Sequence, residues 1–487
     1  MELFVDPEDR RALAVQLYEQ LRDAIAEGRL APGERLPATR GVAVDLGLSR
    51  STVTEAYGRL TAEGYVEGRS GGGTVVSSLP LRPLRPPTSR AALVPTNRAA
   101  GIAQYGRVPA ATAAFDLRPG SIDPTLFPAS TWRSCMVRAM AAPPGRYGDP
   151  AGMSELRATV ANWVARSRGV SANVDEVIIT SGAGHAIDLV ARVLTDPGAV
   201  VAVEDPGYPP VVEVFRIQGL RVVGVPVDDE GIVVDALPAQ ARLVYVTPSH
   251  QYPLGMVMSR RRRLELLQWA NRVGAAIIED DYDSEFRHSA RPLEPLQRLD
   301  RDGRVIYVGT FSKSLSPALR LGFLVAPKPL QPAICAVRQA VDWCPPHTTQ
   351  LALGTLIGEG HLDRHLRRCR AVYRDRHRLM WKALGQLLPS GYRRLPAEAG
   401  LHLTVVSSAT GSDDRLWRVI EKRDLLVGSL ARTYQFSDPV SGCLLGFGAV
   451  PTRLVTTAVH TFCSALQQAG WRAPASFGQP GLALDLS

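Results

Sequence analysis

The sequence predicts two folded domains of different class, a small helical domain with a β-hairpin at the N-terminal end and a large α/β domain after it. Three observations predict this division. Residues 1–76 contain helical patterns separated by glycine turns and followed by a glycine-rich hairpin pattern. From residue 115 onward, short apolar runs rich in β-branched residues alternate with helical patterns. Residues 77–114 hold six prolines, five arginines and no acidic residue and keep no regular period, so they are predicted to be a linker.

The N-terminal domain, residues 1–76, is predicted to be a winged helix-turn-helix. Leucine or isoleucine recurs every fourth residue in a first helix that ends at Gly28. A short second helix and a glycine turn lead to Ser49, a suitable N-cap for a third helix from about Arg50 to Glu63. Two short strands, Tyr65–Glu67 and Thr74–Val76, flank the turn GRSGGG and form the wing. A tight turn between two helices completes the helix-turn-helix pattern.

The third helix is the predicted DNA-reading element. A recognition helix enters the major groove by its N-terminal end, where Arg, Ser and Thr side chains reach base edges and phosphates. A protein-binding winged helix remains the alternative. The residues predicted to contact double-stranded DNA are Arg40 on the second helix, Arg50, Ser51, Thr52, Thr54 and Tyr57 on the third, and Arg69 in the wing.

The positive charge of the chain does not lie on this domain. The 487-residue sequence has 56 Lys and Arg against 47 Asp and Glu, a net charge of +9. Residues 1–76 have nine Arg and no Lys against twelve acidic residues, a net charge of −3, whereas the linker carries +5. The DNA prediction therefore depends on the placement of a few side chains rather than on bulk charge. Arg82, Arg85 and Arg90 in the linker are expected to add non-specific phosphate contacts.

The C-terminal domain, residues 115–487, is predicted to have a doubly wound α/β large part over about 150–340 and a smaller α+β part over about 345–487. Strands of a mostly parallel sheet appear as continuous apolar runs, because helices cover both faces of such a sheet. Seven such runs occur, at Val177–Thr180, Val200–Glu204, Arg221–Val227, Leu243–Thr247, Ala275–Glu279, Val305–Gly309 and Gly322–Ala326.

One of the four lysines stands in a position suited to chemistry. Lys313 lies in GTFSKSLSPALR, directly after a predicted strand, at the sheet edge where open α/β folds bind ligands. Lys328, Lys382 and Lys422 lie in a turn and in helical stretches. A lysine attacks an aldehyde as the neutral amine, so burial or a neighbouring charge must lower its pKa. Lys313 is therefore the predicted catalytic amine, which forms a Schiff base with pyridoxal 5'-phosphate.

Other predicted strand ends carry the remaining groups that this cofactor needs. Pyridoxal phosphate requires a carboxylate for its pyridine nitrogen, a donor for its phenolic oxygen, a stacking ring and a phosphate cup. The cup is predicted at the turn SGAGH, because backbone N–H groups at a helix N-terminus bind anions. The predicted cofactor residues are Lys313, Asp280 for the nitrogen, Tyr282 for the phenolic oxygen, Tyr208 for the ring, and Arg320, Ser312, Thr310, Ala183 and Gly184 around the phosphate.

The sequence predicts neither a metal site nor a membrane partner. The acidic cluster EDDYDSE could bind a metal, but no histidine or second acidic cluster accompanies it at useful spacing. The six cysteines are far apart and form no CxxC pair, which favours a reducing compartment without structural zinc. The N-terminal stretch is polar, and no run of about 20 apolar residues occurs. A cytoplasmic location is expected.

Motifs in both domains resemble a known family. The segments DLGLSRSTVTEAYGRLTAEGYVEG and LYEQLRDAIAEGRLAPGERLPATR resemble GntR-type transcription regulators, and RYGDPAGMSELR, EDPGY, TPSHQYPLG, IIEDDYDSEFR and GTFSKSLSPALRLGFL resemble fold-type-I aminotransferases. Both in this order resemble the MocR subfamily over nearly the whole chain outside the linker. The resemblance implies that Lys313 bonds the cofactor, that Asp280 and Tyr282 contact its nitrogen and phenolic oxygen, and that the protein forms a head-to-tail homodimer. It also implies that Arg320 and Ser312 bind the phosphate and that Tyr208 flanks the ring.

Two departures from the aminotransferase pattern bear on the effector. Tyr252 precedes Pro253 where aminotransferases usually have Asn, and no arginine directly precedes LLGFG to hold a substrate carboxylate. Arg432 and Arg453 are the nearest substitutes, and Arg432 is the predicted carboxylate contact. The expected function is a DNA-binding transcription regulator that senses pyridoxal phosphate, another form of vitamin B6, an amine or an amino acid. A working aminotransferase with an appended domain, with at least a partial half-reaction, and a DNA-binding scaffold with a vestigial cofactor site remain alternatives.

Overall fold

A computed structural model describes residues 3–9, 11–69, 73–78, 94–102, 113–141, 145–288, 294–410 and 414–469, with side chains left aside at 408–410 and 414. The chain divides into two compact units, Met1–Val94 and Pro95–Ser487. Most of the predicted linker, at 79–93 and 103–112, lies outside the described residues, as do linker residues Arg82, Arg85 and Arg90. Within its described part, a six-residue helix occupies Asn97–Ile102, where the sequence predicted no regular structure.

The first unit is a winged helix-turn-helix, as predicted. Ser49 caps the third helix, because its hydroxyl accepts a hydrogen bond from the backbone N–H of Thr52 at 3.1 Å. Leu17 and Leu21 of the first helix and Leu60 of the third are fully buried in the core between them. The elements are α1 (Leu13–Ala26), α2 (Thr39–Asp45), α3 (Arg50–Ala62) and the antiparallel wing strands β1 (Val66–Arg69) and β2 (Gly73–Val76).

The second unit contains two sheets with helices around them. Its helices are α4 (Asn97–Ile102), α5 (Ala129–Met140), α6 (Ser154–Arg168), α7 (Ala183–Leu194), α8 (Pro209–Ile217), α9 (Arg260–Val273), α10 (Leu296–Leu299), α11 (Gln331–Val341), α12 (His347–Gly358), α13 (His361–Leu387), α14 (Asp414–Lys422) and α15 (Val455–Gln468). Its strands are β3 (Phe115–Leu117), β4 (Val177–Thr180), β5 (Val200–Asp205), β6 (Arg221–Asp228), β7 (Gly231–Ile232), β8 (Ala241–Val246), β9 (Ala276–Asp281), β10 (Val305–Thr310), β11 (Gly322–Val325), β12 (Tyr392–Arg394), β13 (His402–Thr410), β14 (Leu425–Ser429) and β15 (Val440–Gly446).

The larger sheet confirms the α/β prediction. Its strand order is β4-β11-β10-β9-β8-β5-β6-β7, and the pairs from β10 to β6 are parallel. Strands β4, β5, β10 and β11 are buried along their whole length, which is why they appear in the sequence as uninterrupted apolar runs. All seven predicted strands are present, whereas the short β7 was not predicted. The carboxyl ends of β4, β10, β9, β8 and β5 lie at one edge of the sheet.

The smaller sheet has the order β12-β13-β15-β14-β3, and its strands were not located individually from the sequence, which predicted a smaller α+β part at about 345–487. Strand β3 lies far outside that range. Strand β3 comes before the large sheet in the chain, yet it pairs in parallel with β14, with Leu425 opposite Phe115. A strand this short, next to an irregular segment, carries too little periodicity to be recognised. The chain after β3 consequently runs from the small sheet directly to the edge of the large one. In the described part of the chain, no helix combines the length and the apolar character needed to cross a bilayer.

Candidate functional site

A cavity of about 390 Å³ lies at the carboxyl ends of the parallel strands, where the loops of the large sheet meet residues of the small sheet. Pro119 and Gly120 enter it from the segment after β3, and His402 enters it from the start of β13. All nine predicted cofactor residues line it: Lys313, Asp280, Tyr282, Tyr208, Arg320, Ser312, Thr310, Ala183 and Gly184.

Lys313 extends across the cavity toward the segment after β3. Its Nζ donates a hydrogen bond to the carbonyl oxygen of Gly120 at 2.7 Å. Gly120 has a φ of +81°, and a Cβ there would lie 2.7 Å from the lysine nitrogen, so only glycine leaves room for this contact. Burial lowers the pKa of Lys313, and the charges of Asp283 and Asp280 oppose this effect only in part. The shift is in the direction of the neutral amine that nucleophilic attack on an aldehyde requires.

Asp280 is a buried carboxylate whose two oxygens differ in hydrogen bonding. Its Oδ2 accepts a hydrogen bond from the Tyr245 hydroxyl at 2.7 Å, whereas Oδ1 has no hydrogen-bond partner in the described part of the chain. Burial raises the pKa of Asp280 to about 7, and the charge of Asp281 adds to this effect. A protonated ring nitrogen would supply both the missing donor and the missing positive charge. The carboxylate thus fits the pyridine nitrogen of pyridoxal phosphate.

The N-terminus of α7 and Arg320 form an anion-binding corner. Helix α7 has Gly182 as its N-cap, with a φ of +98° and no side-chain cap, so the helix end is open to a ligand. Arg320 lies over this turn and donates from Nη2 to the Ser181 carbonyl at 2.6 Å. The Thr310 hydroxyl donates to the Ser312 hydroxyl at 3.0 Å and accepts from the Ser312 N–H at 3.1 Å. Helix dipole, guanidinium and hydroxyl groups together suit a phosphate.

Three tyrosines form an aromatic wall of the cavity. Tyr208, the N-cap residue of α8, is 42% exposed and packs edge-on against Tyr252 with ring centroids 5.4 Å apart. Tyr252 in turn packs edge-on against Tyr282 at 6.3 Å. Tyr252 is the residue at the departure from the aminotransferase pattern. Its ring fills space on the side of the cavity that faces Tyr208.

Two buried histidines stand next to the acidic cluster, so the expectation that no histidine accompanies it is wrong. His250, Asp283 and His402 are all buried, and one potential ligand atom of each lies within 4.8 Å of the others. Sequence distance concealed this group, since its members belong to three separate segments of the chain. Its one sequence signal is that SHQYP and DYDSE both follow strands of the same parallel sheet.

The predicted carboxylate contact does not reach the cavity. Arg432 lies in a turn after β14 and is exposed, and its carbonyl accepts from the Gln435 side chain at 3.0 Å. Among the described residues that line the cavity, the cationic side chains are Lys313 and Arg320. Arg432 was predicted only from its nearness in the sequence to LLGFG, which gives no direction for its side chain.

The winged helix presents most of its predicted DNA contacts to solvent. The structure places Arg40 on α2, Thr52 and Thr54 in the first turns of α3, and Thr52 shares its hydroxyl with the Ser49 cap at 2.7 Å. The prediction that Tyr57 contacts DNA is corrected by the structure, because its ring is buried and its hydroxyl donates to the Pro37 carbonyl at 2.9 Å. Those with exposed side chains are Arg40, Arg50, Ser51, Thr54 and Arg69, and Thr52 is partly exposed.

Replacing Tyr57 with phenylalanine tests this correction. The variant loses the hydrogen bond to Pro37, so the first unit should lose about 1 kcal/mol of stability. DNA affinity, measured by fluorescence anisotropy below the melting temperature, should stay within about twofold of the wild type. Arg50→Ala, matched as an exposed position on the same helix, should instead weaken DNA binding without changing the melting temperature. A large loss of affinity in Tyr57→Phe at unchanged stability would restore Tyr57 as a DNA contact.

Comparison with known proteins identifies both domains. Residues 13–76 match the model of the gntR family of bacterial regulatory proteins, and residues 131–433 match that of class I and II aminotransferases. A Rhizobium meliloti protein described as a probable rhizopine catabolism regulatory protein, MocR, is 36% identical over 92% of this chain and 93% of its own length. The chain belongs to the MocR subfamily of GntR-type transcription regulators. The pyridoxine biosynthesis regulator PdxR of Corynebacterium glutamicum is 32% identical to this MocR-type regulator over 92% of the chain and 95% of its own length.

Solved aminotransferases share the fold of the second unit of this MocR-type regulator, which is called the effector domain below. The kynurenine aminotransferase of Pyrococcus horikoshii, in complex with pyridoxamine phosphate (PMP), has a TM-score of 0.69 at 26% identity, over 78% of this chain and 95% of its own. The α-aminoadipate aminotransferase LysN of Thermus thermophilus, which holds a phosphopyridoxyl-leucine, has a TM-score of 0.67 at 29% identity, over 73% and 92%. The regulator has a fold-type-I effector domain, and its cofactor is pyridoxal 5'-phosphate.

Proposed function

We propose that this regulator is a cytoplasmic homodimer that binds an operator in double-stranded DNA and changes that binding when its effector domain takes up pyridoxal phosphate or an amine. The convergence of Lys313, Asp280 and the anion-binding corner on one cavity carries this proposal. A DNA-binding domain without a sensing role would not need a buried carboxylate with an unpartnered oxygen in the same cavity as a desolvated lysine, because both groups cost stability in the empty protein.

The roles of the nine cofactor residues follow from their chemistry. The Lys313 amine would bond the cofactor aldehyde, the Asp280 carboxylate would hold the ring nitrogen, and the Tyr282 hydroxyl would contact the phenolic oxygen. When bound, the cofactor supplies an aldehyde that exchanges between amines and a ring that withdraws electrons. The phosphate would be held by Arg320, Ser312, Thr310 and the backbone at Ala183 and Gly184, and Tyr208 would stack on the ring.

The cavity favours a ligand without a carboxylate in this conformation. Lys313 and Arg320 are committed to the aldehyde and the phosphate, and no third cationic side chain is among the described residues that line the cavity. An amino acid effector requires the turn that carries Arg432 to move inward and supply the carboxylate contact. Pyridoxal phosphate itself or a simple amine needs no such movement. The relative named for pyridoxine biosynthesis supports vitamin B6 as the signal.

An exposed aromatic pair supports the homodimer. Tyr147 and Trp343 stack on each other with ring centroids 4.6 Å apart, although they are 76% and 51% exposed. Val137, Met140 and Val341, close to them in the chain, are at least 60% exposed. Exposed apolar groups of this size mark surfaces that another protein covers. We assign this surface to a second copy of the chain in the head-to-tail arrangement that the resemblance implies.

Replacing Trp343 with glutamate should weaken the dimer by about 30-fold or more, as expected for loss of an aromatic interface residue. Sedimentation velocity over a range of protein concentrations measures this shift toward monomer. The matched control is Ile217→Glu, since Ile217 is similarly exposed at 47% but belongs to α8. A Trp343→Glu protein that sediments like the wild type at every concentration would exclude this surface as the dimer interface.

The experiment that tests the proposed function compares DNA binding with enzymatic turnover. Purified full-length protein is titrated onto the DNA upstream of its own gene and onto a shuffled fragment of equal length, with and without pyridoxal phosphate and a panel of amines. The same preparation is assayed for transamination between amino donors and keto acids. We expect preference for the upstream fragment and a response to the ligands. Sustained turnover without sequence preference would favour the alternative, a working aminotransferase, which the complete set of cofactor residues allows.

A further inference from the structure

One buried imidazole contacts two groups with the same nitrogen. His250 Nδ1 lies 2.9 Å from Asp283 Oδ1 and 2.9 Å from the Tyr282 hydroxyl. His250 and Asp283 are 1% and 3% exposed, so water does not compete for these contacts. A ring nitrogen carries either one proton or one lone pair in its plane. Nδ1 therefore cannot donate to one partner and accept from the other. Its protonation state must fit the contacts with Asp283 and with Tyr282 at the same time.

The charge of Asp283 fixes where the imidazole proton lies. Burial alone would raise the pKa of Asp283, but the hydrogen bond from His250 and the positive charge of Lys313 help to lower it below its usual value. An ionised carboxylate only accepts hydrogen bonds, so Nδ1 of His250 must carry the proton that it receives. Nε2 of His250 has no hydrogen-bond partner in the described part of the chain, so Nδ1 is the ring nitrogen that takes part in hydrogen bonding. The tautomer that carries its proton on Nδ1 satisfies these observations.

This tautomer decides the direction of the neighbouring hydroxyl. Since Nδ1 already carries its proton, the Tyr282 oxygen can only accept from it, and the Tyr282 hydroxyl proton cannot be donated to His250. We propose that His250 and Asp283 are a positioning pair that turns the hydroxyl proton of Tyr282 into the cavity, toward the phenolic oxygen of the cofactor. This inference rests on the proposed cofactor role of Tyr282. It adds two residues that act through Tyr282, because they set the hydrogen-bond polarity of its hydroxyl.

The groups around the pair leave this arrangement intact near neutral pH. His402 approaches from the small sheet with its ring centroid 5.0 Å from that of His250, and its Nε2–H donates to the Pro253 carbonyl at 3.1 Å. Burial lowers the pKa of His402 to about 4, so it carries no charge there. The other titratable groups that act on the pair or on Tyr282 are Lys313, Asp280, Glu204, Tyr252 and His288.

The test uses variants of His250 in the full-length holoprotein. Asparagine keeps an N–H donor near the position of Nδ1, whereas leucine removes it at similar volume. Affinity for pyridoxal phosphate and the apparent pKa of its visible absorption band are measured by spectrophotometric titration. We expect His250→Leu to bind the cofactor about tenfold more weakly and to shift the apparent pKa of the band, because one hydrogen bond is lost. His250→Asn should restore both toward the wild type.

Three controls make the outcome decisive. His377→Asn alters a histidine on α13 outside the pair and should leave the band unchanged. In a Tyr282→Phe background, His250→Leu should have no further effect, since its influence passes through the hydroxyl. Equal titrations for the wild type and His250→Leu, an undiminished effect of His250→Leu without the Tyr282 hydroxyl, or a bound metal lost in His250→Asn would overturn the inference. A wild-type protein with no visible band would instead refute the proposed cofactor role.

Discussion

Replacing Lys313 with alanine is expected to abolish the visible absorption band of the bound cofactor and to weaken binding of pyridoxal phosphate by about 100-fold or more, equivalent to about 2.7 kcal/mol. Lys313 is the lysine that lines the cavity, and its neutral amine is favoured by burial. Without it, the aldehyde has no covalent partner, and only phosphate and ring contacts remain. Absorption spectra and equilibrium dialysis of the full-length protein measure both effects.

Lys328→Ala is the matched control for this prediction. The Lys328 side chain is 72% exposed and pairs with Asp175 at 3.1 Å, so its loss should change neither the band nor the affinity. A Lys313→Ala protein that keeps the visible band would contradict the assignment. Loss of the band in both variants would point to unfolding, which circular dichroism distinguishes.

Asp280→Asn is expected to have opposite effects on the empty and the loaded protein. The asparagine cannot supply the negative charge for the ring nitrogen, so affinity for pyridoxal phosphate should fall by about 30-fold or more. The same substitution removes a buried negative charge that forms no ion pair among the described residues and should therefore stabilise the empty protein above pH 7. A substitution that merely damaged the fold would weaken both properties.

The pH dependence of the empty protein gives the sign of this effect. Burial raises the pKa of Asp280 from 3.8 to about 7, so between these values the folded protein holds a proton that the unfolded chain has released. The contribution of Asp280 is fully present below about pH 4 and is lost as the pH rises to 7, on the order of 4 kcal/mol in total. Above pH 7 the variant should therefore melt at a higher temperature than the wild type, and near pH 4 the two should converge.

Thermal melting of both empty proteins at several pH values measures this difference. Glu204 and Glu279 also have pKa values raised to about 7 by burial, so the comparison with the variant, and not the wild-type curve alone, isolates Asp280. The control is Asp175→Asn, an exposed carboxylate whose loss should shift the melting curve little at any pH. A variant less stable than the wild type at pH 8 would mean that the Asp280 charge is already compensated in the empty protein.

Local signals explain what the sequence predicted correctly. The strands β4, β5, β10 and β11 are buried throughout, so their apolar runs report their environment directly. Lys313 could be found because the chain has only four lysines and the other three lie in a proline-flanked turn and in helical stretches. The topology of a parallel sheet brings its strand ends together at one edge. Asp280 near the end of β9 and Lys313 after β10 therefore line the same cavity.

The errors concern contacts that depend on distant parts of the chain. His250 and His402 join Asp283 from two different sheets, and spacing within a single motif cannot reveal that. Tyr57 lies on the helix predicted to read DNA, but its spacing from Val53 and Leu60 places it on the buried face. The short β3 gains its structure from β14, which lies near the opposite end of the chain. For the two histidines and for β3, the local sequence pattern does not contain the information that decides the contacts, whereas for Tyr57 the helical spacing does contain it.

We expect cofactor chemistry at Lys313 to control DNA binding, and anisotropy measurements on the wild type and one variant can show this. Fluorescence anisotropy on the upstream DNA fragment is measured for the wild type and for Lys313→Ala, with and without pyridoxal phosphate or a responsive amine. The wild-type affinity should change by about fivefold or more on ligand addition. Lys313→Ala should keep sequence-specific binding but lose the response. Equal responses in the two proteins, or a wild-type affinity that no ligand changes, would contradict the account.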